Sequence, residues 1–175
     1  GEAEVTPNGA GIYDVYVTVA AGDKYAEVTT PIKVGTFEVK KAQQVEPNAS
    51  LTANTVVITE EAPEIVLGNE AYENAGVKYV VEDESVVTVA EDGTITLVGA
   101  GTTTIKVSYK ETTNYNASVE ETLTITVNKD ELKANNFVIE TPEVVYNTQN
   151  QGTEVTADVE GIGEITVIYK QGEQK

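Results

Sequence analysis

Residues 85–109 read Ser85-Val86-Val87-Thr88-Val89-Ala90-Glu91-Asp92-Gly93-Thr94-Ile95-Thr96-Leu97-Val98-Gly99-Ala100-Gly101-Thr102-Thr103-Thr104-Ile105-Lys106-Val107-Ser108-Tyr109. Apolar and polar residues alternate on both sides of Asp92-Gly93, and a second break falls at Gly-Ala-Gly. Alternation puts successive side chains on opposite faces of an extended chain, which is the period of a strand. Asp-Gly supplies the positive φ of a tight turn, so residues 86–89 and 94–98 are predicted to form a hairpin. The Thr-rich run over 102–109 is predicted to be a longer strand.

The motif has a second copy. Gly9-Ala10-Gly11 precedes Gly99-Ala100-Gly101 by 90 residues, and at the same spacing Val15 matches Ile105, Val17 matches Val107 and Val19 matches Tyr109. Tyr25 likewise matches Tyr115, each in a short polar stretch. Both copies then run into an alternating strand that ends in lysine, Val39-Lys40-Lys41 and Val127-Asn128-Lys129. In each, the glycine turn launches a strand, the tyrosine anchors the reversal, and a final strand closes the unit. Outside these copies, alternating stretches bounded by Gly, Asn, Asp and Pro predict strands over 55–59, 64–67, 77–81, 137–140, 143–146, 153–159 and 164–169. Gly35 interrupts the alternation of residues 31–39 and predicts a bulge.

Val, Ile and Thr make up 62 of the 175 residues, against five Leu. Branching at Cβ restricts side chains in a helix and suits a pleated surface. No window repeats at helical spacing, and residues 70–75 suffice for a single turn. The fold class is therefore all-β, with short strands packed as an antiparallel β-sandwich. Because residues 99–129 close a domain, residues 9–40 are expected to close one as well. The expected organisation is a complete domain over 41–129, the C-terminal half of a repeat over 1–40, and the N-terminal half of a repeat over 130–175. On this reading the sequence is a segment of a longer polypeptide, cut in phase with neither flanking repeat.

The strand, Asp-Gly turn, strand, Gly-Ala-Gly turn and Thr-rich strand of residues 85–107 resemble the bacterial immunoglobulin-like (Ig-like) group 2 repeats of invasin- and intimin-type surface proteins. Two further stretches are similar to the mostly bacterial Ig-like repeat. Glu143-Val144-Val145-Tyr146-Asn147 with residues 161–169 matches its front half, and residues 8–17 with Gly22-Asp23-Lys24-Tyr25 match its back half. The resemblance implies tandem Ig-like β-sandwich repeats and a cell-surface or secreted, extracellular setting, and it brings no catalytic residues. Half a sandwich cannot bury its inner face and exposes edge strands. Residues 1–40 and 130–175 are therefore expected to complete one sandwich together, between molecules rather than within one.

Composition removes much chemistry. The chain has no Cys, His, Met or Trp, and all 11 basic residues are Lys, against 29 acidic residues and a net charge of -18. There is no thiolate or imidazole for nucleophilic catalysis or for zinc, copper or haem. An acidic surface without Arg repels nucleic acid, and no apolar run approaches a membrane span. Acidic groups at Glu60-Glu61 with Glu64, Glu82-Asp83-Glu84, Glu91-Asp92 and Asp130-Glu131 lack the spacing of known calcium loops and read as solvated turns. With so many acids, a carboxylate pair at glycosidase distance arises by chance, and nothing builds a cleft around one. Lys, Asn and Glu are plentiful enough for a stabilising Lys–Asn isopeptide bond, but no triad stands out. The sequons Asn48-Ala49-Ser50 and Asn116-Ala117-Ser118 read as coincidence. Among the nine Tyr, Tyr16, Tyr72 and Tyr79 are predicted to be exposed, and Tyr13 and Tyr109 to lie in the core.

The expectation is a non-enzymatic structural spacer or stalk module of a large bacterial surface protein. It has no catalytic, cofactor-binding or metal residues and no cofactor, and its partners are neighbouring repeats of the same polypeptide. Short linkers near Lys40-Lys41 and Asn128-Lys129-Asp130 are expected to join its domains. The alternative is an adhesin-type module that binds a host glycan or protein.

Overall fold

The alternating stretches form strands in the computed structural model, which describes residues 5–170. Among these residues the structure is all-β and sandwich-like, with two single-turn 3-10 segments at Tyr72–Asn74 and Ala134–Asn136. The chain divides into two units, one ending at Lys129 and the other beginning at Asp130.

The first unit opens with a long antiparallel hairpin of β1 (Gly11–Val19) and β2 (Val28–Val39), in register from Gly11 opposite Val39 to Tyr13 opposite Phe37. Val15 faces Gly35 while the next residue, Tyr16, faces Lys33, so the extra residue is Val34 and the bulge lies beside Gly35. There follow β3 (Ala42–Gln43), β4 (Ala49–Leu51), β5 (Thr55–Val57), β6 (Ile65–Leu67), β7 (Val77–Val81), β8 (Val87–Val89), β9 (Ile95–Leu97), β10 (Gly101–Tyr109), β11 (Tyr115–Asn116) and β12 (Glu121–Asn128). The second unit contains β13 (Phe137–Ile139) and β14 (Val155–Ala157), paired antiparallel.

The main sheet has the order β5-β12-β10-β7. Its centre is the antiparallel pair β10–β12, with Ile105 opposite Leu123. β7 adds antiparallel to β10, and β5 adds parallel to the end of β12. Parallel pairing recurs where β11 meets β3, so the ladders are antiparallel except at these two short places. The two-stranded pairs β4–β6 and β8–β9 supply side chains to the same core. That core joins Val56, Val86, Val87, Ile95, Ile105, Val107, Ile125 and Val127. The buried polar residues are bonded, as burial requires. The Thr103 hydroxyl accepts from the Asp83 amide at 2.9 Å. The Ser118 hydroxyl accepts from the Tyr109 amide at 2.8 Å and donates to the Val119 carbonyl at 2.9 Å.

The Asp-Gly turn forms as expected. Gly93 has φ 90°, the Ala90 amide donates to the Thr94 carbonyl at 2.9 Å, and Val87 pairs with Leu97. In Gly-Ala-Gly the glycines serve close approach. A Cβ on Gly99 would lie 2.6 Å from the Ser85 carbonyl oxygen, and one on Gly101 would lie 2.8 Å from a Val86 methyl. Two predicted strands are not formed: residues 143–146 and 164–169 run without ladder partners. Alternation sets which way side chains point, but a strand also needs a neighbour for its backbone groups. Tyr109 is buried as expected, whereas Tyr13 is half-buried and Val15 and Val17 of the same face are exposed. Tyr16 and Tyr72 are exposed, and Tyr79, expected at the surface, is half-buried over Gly93.

Gly99→Ala drives a new carbon into backbone, so it is expected to lower unfolding free energy by about 1–3 kcal/mol. Ala100→Ser, at the exposed residue between the two glycines, should change it by less than about 0.5 kcal/mol. Urea denaturation of the two variants checks this, and equal losses would contradict the close-approach account.

Candidate functional site

The feature most open to a functional reading is the joint where the first hairpin passes into the complete core. β2 ends at Val39 and β3 begins at Ala42, so only Lys40 and Lys41 connect them. A two-residue connection leaves little slack, and side chains remove more of it. The Lys41 ammonium donates to the Thr112 carbonyl at 2.7 Å and lies 3.4 Å from the Glu111 carboxylate. The Ala42 amide donates to the Asn114 carbonyl at 2.8 Å, which starts the parallel bridge of β3 to β11.

Asn114 is the centre of this joint. Its side-chain oxygen accepts from the Ala10 amide at 2.6 Å, which ties the start of the hairpin to the loop before β11. Its side-chain NH2 donates to Glu73 at 2.5 Å, and its backbone amide donates to the other carboxylate oxygen at 3.2 Å. Gly9 packs so closely here that a Cβ would lie 2.9 Å from the Asn114 side-chain oxygen. Glu73 holds its position at a conformational cost, because its φ of 54° is in the left-handed region that non-glycine residues avoid. Nearby, the rings of Tyr72 and Tyr115 stand 4.9 Å apart at 34°. The buried Gln44 side chain accepts from the Tyr72 amide at 2.7 Å and donates to the Tyr72 carbonyl at 3.1 Å.

Hydrogen bonds from Thr112 first, and then from the Asn114 side chain and backbone, hold the Glu73 carboxyl below its ordinary pKa, with a smaller pull from Lys41. Asp83 is lowered by the Ser85 hydroxyl and amide, and Asp92 by the Thr94 amide and then its hydroxyl. Several of the acidic side chains considered in the sequence thus accept hydrogen bonds from backbone amides and hydroxyls. Glu60 accepts from the Val57 amide at 3.0 Å, Glu82 accepts from the Thr104 hydroxyl at 2.7 Å, and Asp130 accepts from the Glu131 amide at 2.7 Å. Among the described residues no three acidic side chains gather as a metal ion would need.

Sequence reasoning marked Lys40-Lys41 and Tyr115 but missed Asn114, Glu73, Gln44 and Glu121. The Glu121 carboxylate receives the amides of Asn48 and Ala49 at 2.9 and 2.5 Å, across 73 and 72 residues. Contacts between residues so far apart leave no local pattern. Only the polar stretch Thr112-Thr113-Asn114, set between two strands, hinted at a bonded loop. In comparisons with known proteins, the chain matches no family model and no curated sequence. No helix among the described residues is long and apolar enough to cross a membrane.

Because the folded-state pKa of Glu73 is depressed, its contribution is present above the ordinary glutamate value and is lost as pH falls through the lower folded value. The Glu73 carboxyl carbon should therefore titrate below the ordinary glutamate range. As it does, the Ala10 amide should begin to exchange faster while β10 stays protected. In Asn114→Ala the same amide should exchange fast at neutral pH. NMR titration and amide exchange check both, and an ordinary Glu73 midpoint would contradict the joint as described.

Proposed function

We propose that this chain is a non-catalytic spacer module of a large bacterial cell-surface or secreted protein, built from Ig-like repeats set end to end. The observation that carries this reading is the joint: a two-residue connection from β2 to β3, tied down by Lys41 and Asn114 on both sides of the hairpin's base. A spacer must transmit position from one repeat to the next, and a short, bonded connection does so where a long flexible linker would not. The repeat of Gly9-Ala10-Gly11 at Gly99-Ala100-Gly101 supports successive units of one kind. Acidic side chains committed to capping turns, with a net charge of -18, keep such an array soluble and discourage pairing along exposed edges.

The test has two arms. Nitrogen-15 relaxation should show β1–β2 tumbling with the core as one body, and independent tumbling of the hairpin would contradict a rigid joint. A screen of the chain against host glycans, mucins and extracellular-matrix proteins should give no saturable binding. Saturable binding that is lost on changing Tyr16 or Tyr72, both exposed, would replace the spacer reading with that of an adhesin.

A further inference from the structure

The two predicted strands that lack partners correspond to the two strands that flank the central hairpin of the complete core. β4 pairs with β6 in the first unit, and β13, 88 residues after β4, pairs with β14 in the same antiparallel manner. The same spacing carries β5 onto Glu143-Val144-Val145 and β7 onto Ile165-Thr166-Val167-Ile168-Tyr169. In the first unit β5 and β7 never touch each other's ladder. They lie on the two outer sides of the β10–β12 hairpin. That hairpin also has an earlier copy, β1–β2, which among the described residues forms a sheet of two strands only. Among the described residues the second unit therefore holds two extended segments with no hairpin between them, and the first holds a hairpin with no strands paired to its outer edges.

Burial follows the same logic. Ile105 and Val107 are 0% exposed and Tyr109 is 3% exposed, while their repeat counterparts Val15, Val17 and Val19 are 37%, 39% and 50% exposed. The residue types and the strand pattern agree, so what differs is the cover. On the second unit, Phe137, Val155, Ile165 and Val167 line an open cleft where the core of a complete unit would lie. Val15, Val17 and Val19 are thus exposed on the first unit, and on the second Val167 is exposed while Phe137, Val155 and Ile165 are half-buried.

We propose that the β1–β2 hairpin of one molecule inserts between residues 143–145 and 165–169 of a second copy, completing in trans the four-stranded sheet that β5, β12, β10 and β7 form within the first unit. The first unit supplies the register. In it Ile105 faces Val81, Val107 faces Tyr79 and Tyr109 faces Val77, antiparallel, while Val127 lies beside Val56, parallel. With β10 carried onto β1 at a spacing of 90 residues and β7 onto residues 165–169 at 88, Val15 faces Tyr169, Val17 faces Val167 and Val19 faces Ile165; Val39, opposite Gly11 as Val127 is opposite Gly101, lies beside Val144. Insertion gives backbone partners to both edges of the hairpin and to two extended segments, and it sets both apolar stripes side by side on one face, where Phe137 and Val155, 88 residues after Ala49 and Leu67 of the first core, can cover them. Each copy carries one hairpin and one acceptor, so the contact is head-to-tail and either closes into a ring or extends as a chain. The association goes beyond the spacer reading and does not depend on it.

Two variants of the full 175-residue chain test this. Val17→Glu spoils the hairpin and leaves the acceptor intact, whereas Val167→Glu does the reverse. Light scattering should give the unaltered chain a concentration-dependent mass above 18.7 kDa. Each variant alone should stay at the monomer mass, and an equimolar mixture should form a one-to-one dimer, since it retains one good hairpin and one good acceptor. Unchanged urea denaturation of the β10–β12 core would show that both variants still fold. A monomeric unaltered chain, including one closed on itself, would overturn the proposal. So would a mixture that stays monomeric, or a single variant that still assembles.

Discussion

The constraint on which the rest of the structure depends is that a two-stranded hairpin cannot satisfy itself. Each strand bonds its partner with every second backbone group and turns the others outward, and the apolar face between them needs a lid. In the first unit β10–β12 meets both needs: β7 and β5 take its edges, and β4–β6 and β8–β9 help cover its face. The buried core of Val56, Val87, Ile95, Ile105, Val107, Ile125 and Val127 follows from that closure. The same sequence pattern in β1–β2 leaves Val15, Val17 and Val19 exposed. One pattern with two outcomes shows that what surrounds the hairpin, and not the hairpin itself, decides burial.

Several polar side chains fix local geometry. Asp83 and Asp92 cap turns, Glu121 receives the start of β4, and Glu73 and Asn114 fasten the base of the first hairpin. A carboxylate that accepts backbone amides is held in its charged form, and the lowered values of Glu73, Asp83 and Asp92 report that role. These residues lie at the surface, where single contacts are weak, so the joint's firmness comes from several short bonds made together.

Much of the fold was legible because alternation and glycine are local signals. The Asp92-Gly93 turn, the β7 strand over 77–81, the long strand before Tyr109 and the bulge beside Gly35 could be read from neighbouring residues alone. The strands expected at 143–146 and 164–169 have the right pattern, yet they remain unpaired because pairing depends on residues far away in sequence. The joint was less legible for the same reason. Asn114 meets Ala10 across 104 residues and Glu73 across 41, and no periodicity records such meetings. Tyr79 was misjudged because its exposure depends on Gly93, whose backbone lies against its hydroxyl.

Residue-resolved amide exchange, followed as the protein is concentrated, tests most directly whether flanking strands decide the fate of each hairpin. The account predicts that β10 and β12 exchange slowly at every concentration, and that residues 143–145 and 165–169 exchange fast when dilute and slowly when concentrated. Protection of residues 165–169 that is already complete at the lowest concentration, or that never appears, would contradict it.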